Sequence, residues 1–113
     1  MTIDGNIYLL QYGSYTNEEV MNENIQRLDN YIVYLNDDKY YVFVGASTFY
    51  ENAMRLSELL EEEGIYTYIK NDYISDSELL NKISNLDKEI IKNNNLIKEK
   101  NIQILKLLKE EFF

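Results

Sequence analysis

Gln11 and Ser14, together with the alternating pair Tyr41 and Phe43, are the side chains best suited to hold a ligand. An amide and a hydroxyl hydrogen-bond in both directions, and aromatic rings supply stacking area. They are poorly equipped to break bonds. The chain has no His and no Cys, which excludes disulfides, thiolate or imidazole zinc sites, and Cys-His or Ser-His nucleophilic pairs. Neither Ser14 nor Ser47 has an activating base suggested by its surroundings. Glu61-Glu62-Glu63 reads as a solvated helix end rather than a metal site, and Asp37-Asp38 as a turn. The competing assignment for the aromatic pair is packing, the commoner role of aromatics on a sheet, and Gln11 has an alternative as a cap for a backbone group.

A unit used twice positions these residues. Leu9 to Thr16, with Glu19 beyond, recurs 32 positions later as Tyr41 to Thr48, with Glu51 beyond. Each copy is a strand-like run, a glycine that lets the chain turn, and a Thr with Glu three residues on, the pattern of a helix-capping box. Ile7 to Tyr12 reads as a strand and Asn17 to Asn30 as a helix with Val20, Met21, Ile25 and Leu28 inward. Tyr31 to Leu35 and Tyr40 to Val44 read as a hairpin around Asn36-Asp37-Asp38. A second helix from Phe49 to Glu63 stops at Gly64, and Ile65 to Lys70 closes the series.

The order βαββαβ predicts an α+β, ferredoxin-like or RNP-like fold. Two right-handed crossovers place the first and third strands at the centre of a four-stranded antiparallel sheet, with both helices on one face. Alternation turns Leu10, Tyr12, Val42 and Val44 toward those helices, and Leu9, Gln11, Tyr41 and Phe43 toward the other face. In the last strand it turns Tyr66 and Tyr68 inward and Ile65, Thr67 and Ile69 outward. The second face is then either an open platform or a bed for the C-terminal segment.

Residues 1–74 hold 13 acids against 4 bases, while 75–113 hold 7 of each, so the whole net charge of −9 lies in the front part. Nucleic acid is not expected as a partner, because binding phosphates needs Lys and Arg to replace counterions. No apolar run reaches the ~18 residues of a spanning helix. Met1-Thr2-Ile3-Asp4-Gly5 lacks the basic start of an export signal.

At these residues the chain resembles a known family. Gln11-Tyr12-Gly13-Ser14-Tyr15, then Tyr41-Val42-Phe43-Val44-Gly45 and Glu51-Asn52-Ala53, is similar to the SPOR (sporulation-related repeat) domain. That family carries Gln-x-Gly-Ser-aromatic and Val-x-Val-Gly motifs, the latter before an Ala-containing helix. The resemblance covers residues 6–72. It implies a module that binds septal peptidoglycan, in particular glycan strands stripped of stem peptides, and brings cell-division and cell-wall proteins to the septum. Carried over by position, the glycan contacts fall on Gln11, Ser14, Lys39, Tyr41, Phe43 and Ile69. The chain departs from the family at Lys39, where several members have an aromatic, and at Tyr41, where they have a basic residue.

Beyond Asp72 the composition changes. Ser75-Asp76-Ser77-Glu78 starts a helix that no Gly or Pro interrupts up to Glu111, about 50 Å at ~1.5 Å per residue. Leu79, Ile83, Leu86, Ile90, Asn93, Ile97, Ile104 and Leu107 follow a 4-3 alternation broken only at Lys100, as in a coiled coil with Asn93 setting the register. A second row at Leu80, Ile91, Leu105 and Leu108 widens the stripe enough for a trimer, a bundle, or docking on the chain's own sheet.

The expectation is therefore a SPOR-like domain over 1–73 and a helical, coiled-coil segment over 74–113. It is a non-enzymatic module without cofactor or metal, binding peptidoglycan glycan strands as a homodimer or higher oligomer. Its place is the cell envelope outside the cytoplasmic membrane, without direct membrane insertion. The alternative is a structural or adaptor protein of the same fold that binds a protein partner or itself, and no glycan.

Overall fold

Residues 5–113 are described by a computed structural model. Met1 to Asp4, most of the segment read above for an export signal, lie outside them.

The six-element order appears as expected. β1 (Asn6–Tyr15), α1 (Glu18–Ile25), β2 (Ile32–Asn36), β3 (Lys39–Ser47), α2 (Tyr50–Glu62) and β4 (Tyr68–Tyr73) build an antiparallel sheet in the order β2-β3-β1-β4. The central strands are the first and third. Leu10, Val42 and Val44 turn to α1 and α2, where they meet Met21, Ile25, Leu28, Ala53 and Leu56 in one buried cluster. Val20 does not join them and is 46% exposed.

The two glycines do not end their strands. β1 runs through Gly13 and β3 through Gly45. What each position needs is room: a Cβ on Gly13 would lie 2.5 Å from the Tyr15 hydroxyl, and one on Gly45 would lie 2.5 Å from Leu56 Cδ2. The capping residues are displaced as well. Asn17, not Thr16, caps α1 by accepting from the Val20 amide at 3.1 Å. α2 starts from Phe49 without a side-chain cap, while Ser47 Oγ accepts from the Phe49 amide.

The β2–β3 hairpin closes on the pair Asn36 and Lys39, with φ of 51° at Asp37 and 60° at Asp38. Positive φ at both central residues is a type I′ turn, which Asn-Gly fits best. Replacing Asp37-Asp38 by Asn-Gly is expected to stabilise the fold by about 0.5–1 kcal/mol. The urea midpoint should rise with an unchanged slope.

The largest departure from expectation lies beyond β4. The segment is helical, but as two helices, α3 (Ser77–Lys92) and α4 (Ile97–Glu111), separated by a single 3-10 turn at Asn94–Leu96. Asn93 is exposed and extended, with φ −148° and ψ 100°, and its side chain accepts from the Asn95 amide. It sets no coiled-coil register, because it is the residue at which the rod stops. The hairpin folds back onto the second face of the sheet. Leu79, Leu80, Ile83, Ile104, Leu105 and Leu108 share a buried cluster with Ile7, Leu9, Ile32 and Phe43.

Of the two alternatives for that face, an open platform or a bed for the C-terminal segment, the second holds over the part that carries Ile7, Leu9, Ile32 and Phe43. A Lys100–Glu89 ion pair at 3.2 Å and a Lys82–Glu111 pair at 3.4 Å tie α3 to α4 along their rims. Such half-exposed pairs contribute little beside the buried apolar area.

Candidate functional site

Two buried polar side chains fix how much of the sheet the hairpin covers. Asp87, on α3, is fully buried. Its carboxylate accepts from Ser47 Oγ at 2.6 Å, the Thr48 amide at 2.8 Å, Thr48 Oγ1 at 2.6 Å and Asn52 Nδ2 at 3.2 Å. All four donors lie at the β3–α2 junction, where the helix start adds its own positive end. Asn101, on α4, lies beyond the point where β2 stops pairing at Ile32 opposite Phe43. Its side-chain oxygen accepts from the Ala46 amide at 3.2 Å and its nitrogen donates to the Val44 carbonyl at 3.0 Å. The amide therefore stands in for the next residue of a neighbouring strand.

The covered and uncovered parts of the face meet at Phe113. Its ring stacks on Phe43 at 5.5 Å between centroids and lies 4.8 Å from that of Tyr34. Phe43 is consequently 1% exposed. Beyond that edge the sheet emerges from the helices. Tyr34 pairs with Tyr41 in the strand register, and Tyr41 with Ser14. Gln11 pairs with Phe43 on one side and with Tyr68 on the other, which places all of them on this face. Lys70 Nζ stands 5.1 Å from the centroid of the Tyr41 ring, within cation–π range.

Gln11 sits between two register shifts, one before it and one between it and Gly13. Such bulges bend the strand and re-aim a side chain. The bulge residue Tyr12 turns to the opposite face, where its hydroxyl donates to the Asn24 carbonyl at 3.1 Å. At the same end, burial raises the pKa of Tyr15 above its ordinary value, with the neighbouring Tyr12 adding to it. The Glu18 carboxylate raises that of Tyr40. Raised phenol values keep both groups neutral, so any stability they lend is complete below a pH of about 10 and is lost as pH rises through the raised values.

Of the six residues expected to contact glycan, Gln11, Ser14 and Tyr41 come together on the uncovered part. Lys39 is exposed at the hairpin end of β3. Phe43 is beneath Phe113. Ile69 is on the opposite face, paired with Leu10 and packed on the α1–α2 cluster. The expected alternation of the last strand is therefore inverted. Because β4 starts at Tyr68, its register against β1 puts Tyr68 and Lys70 beside Gln11 and Leu9. Lys70, Tyr34 and Tyr68 also border the strip, although the sequence motifs point to none of them as contacts. For Lys70 the only sequence signal was one of two lysines near the motifs.

Among the described residues no cluster of acids has metal-site geometry and no helix is long and apolar enough to cross a membrane. No family model matches this chain, and no curated protein matches it. Among solved structures it is similar to the solution structure of the peptidoglycan binding domain of the B. subtilis cell wall lytic enzyme CwlC, at 21% identity and a TM-score of 0.52. The match covers 64% of this chain and 96% of that domain. At this identity the two share a fold.

Proposed function

We propose that this chain is a non-catalytic, SPOR-like module that binds cell-wall glycan strands through the uncovered part of its sheet, and that it works in the cell envelope. The observation that carries the reading is the strip on which exposed Ser14 adjoins the partly buried Gln11 and Tyr41, with Lys70 over the Tyr41 ring. It lies in a fold shared with a domain whose described role is peptidoglycan binding. Four strands about 4.8 Å apart give a surface roughly 14 Å across, room for a short run of sugars. Gln11 and Ser14 would bond hydroxyl and acetamido groups, Tyr41 would stack on a pyranose face, and Lys70 would offset the repulsion between an acidic domain and muramic carboxylates.

The test is retention on amidase-treated sacculi. The Q11A/Y41A double variant is expected to bind about tenfold or more weakly than wild type, since a lost hydrogen bond and a lost stacking contact are each worth about 1 kcal/mol. Both side chains are partly buried and Tyr41 packs against the cluster under the hairpin, so the variant's melt is expected to fall and retention is compared well below it. Equal retention of the variant and the wild type would reject this strip.

A second reading draws on the burial of Phe43 and Leu9. It takes the chain as a structural or adaptor protein in which the fold persists without glycan binding. A wild-type chain that is not retained on the sacculi would favour it. Self-association through α3 and α4 forms no part of either reading, because their apolar stripe is already occupied by the sheet.

A further inference from the structure

We infer that β4 is a self-pairing edge, through which two copies of this chain join their sheets about a two-fold axis at Asn71. β4 pairs only with β1, and among the described residues no element lies along its outer side. An open edge of six residues presents unpaired backbone groups to any matching strand.

The register follows from geometry and charge. The Ile74 amide donates to the Gly5 carbonyl at 2.8 Å, so Ile74 directs its backbone groups at β1. Antiparallel ladders alternate, which turns Asp72, Lys70 and Tyr68 toward β1 as well and leaves Ile69, Asn71 and Tyr73 directed outward. Only those three offer hydrogen bonds to a second strand. Three symmetric arrangements engage at least two of these residues in each copy.

Pairing Ile69 with Asn71 sets Lys70 against Lys70. Pairing Asn71 with Tyr73 sets Asp72 against Asp72. Pairing Asn71 with Asn71 sets Lys70 against Asp72 twice, at the close side-chain spacing of a non-hydrogen-bonded pair. Charge thus selects the third arrangement and disfavours the other two. That arrangement forms about six ladder hydrogen bonds and lays Ile69 against Tyr73, which is 62% exposed in the single chain. The other edge, β2, has no charged residue among Ile32–Asn36 to choose a register.

Two local rearrangements accompany pairing. Asp72 Oδ1, which accepts from the Tyr73 amide at 2.7 Å and so masks one outward donor, turns to Lys70 of the second copy. Lys70 in turn leaves the Tyr41 ring. Neither step involves the helices; because Lys70 also borders the proposed glycan strip, the self-association is measured without glycan present.

The experiment is sedimentation velocity of the full chain over a concentration series, with K70D, D72K and the double swap K70D/D72K. Wild type is expected to dimerise in the micromolar range, and each single swap to weaken the dimer about tenfold or more by opposing like charges. The double swap restores opposite charges and is expected within about threefold of wild type. A wild-type chain monomeric up to about 1 mM would overturn the inference. So would single swaps that dimerise like wild type, or a double swap no better than the singles. If one single swap fails to fold, the double swap decides between the outcomes.

Discussion

Asp87→Ala is expected to destabilise the protein by about 3–5 kcal/mol. The carboxylate is fully buried, and its partners are two hydroxyls, a backbone amide and a carboxamide, with no cation among them. A lone buried charge persists only when such donors replace its water. Removing it strands the donors instead, at about 1–3 kcal/mol for each that finds no substitute. The isosteric Asp87→Asn separates charge from shape. It keeps one acceptor but points an N–H₂ group at donors, and about 2 kcal/mol is expected. Urea unfolding gives the totals. A domain of this size has roughly 5–15 kcal/mol in hand, so the alanine variant approaches local failure. That failure should be directional: Asp87 joins α3 to the β3–α2 junction, so amide exchange in α3 and α4 should accelerate more than exchange in β1 and β3. Uniform acceleration would mean that the hairpin and the sheet unfold as one unit.

The sheet was legible because each of its signals is local. Alternation in Leu9 to Tyr12 and Tyr41 to Val44, the Asn36-Asp37-Asp38 turn and the stop at Gly64 act within a few residues, and together they allow few topologies. The third dimension of the C-terminal segment was not local. A 4-3 alternation continues in phase across Asn93 because both helices of a hairpin lay their stripes on the same sheet, so the pattern does not distinguish a rod from a fold-back. Two features did carry the information. Asn93-Asn94-Asn95 is a run of residues that bond their own backbone and favour helix ends. The second apolar row, of which Leu80, Leu105 and Leu108 are buried, is wider than a two-stranded seam and matches a helix packed on a sheet.

The candidate site divides along the same line. Gln11, Ser14 and Tyr41 fall together because motif spacing and strand order determine them. Phe43 is removed from the surface by Phe113, seventy residues away in sequence, a contact no spacing rule reports. Ile69 lies on the other face for a smaller reason, a strand that starts three residues later than the β-rich run suggests and pairs Ile69 with Leu10. A one-residue change of register reverses every side chain of a strand, so an edge strand with a polar half, such as Lys70-Asn71-Asp72, is the element whose face is hardest to assign.

Asn101→Leu is expected to cost about 2–4 kcal/mol although it adds apolar surface at a buried site. The reason lies in β3. Past Ile32 the chain of β2 no longer runs beside it, and the Ala46 amide and Val44 carbonyl would face the hydrocarbon of α4 without partners. Asn101 meets both with one side chain, and Gly45 between them permits the approach, its α-hydrogen side lying within contact distance of Asn101 Oδ1. Leucine fills the space and leaves two buried backbone groups unpaired. Asn101→Asp is the sharper test, because it is nearly isosteric, keeps the acceptor for Ala46 and turns a second oxygen toward the Val44 carbonyl. Its cost should equal or exceed that of leucine at neutral pH, since an ionised oxygen facing a carbonyl is worse than an absent donor. In both variants the Ala46 amide reports directly. With leucine its exchange should accelerate ahead of its neighbours in β3, whereas with aspartate it should stay protected for as long as the fold holds. If Ala46 remains protected in the leucine variant, then some other group takes the place of the amide, and Asn101 is not what allows β3 to extend beyond its neighbour.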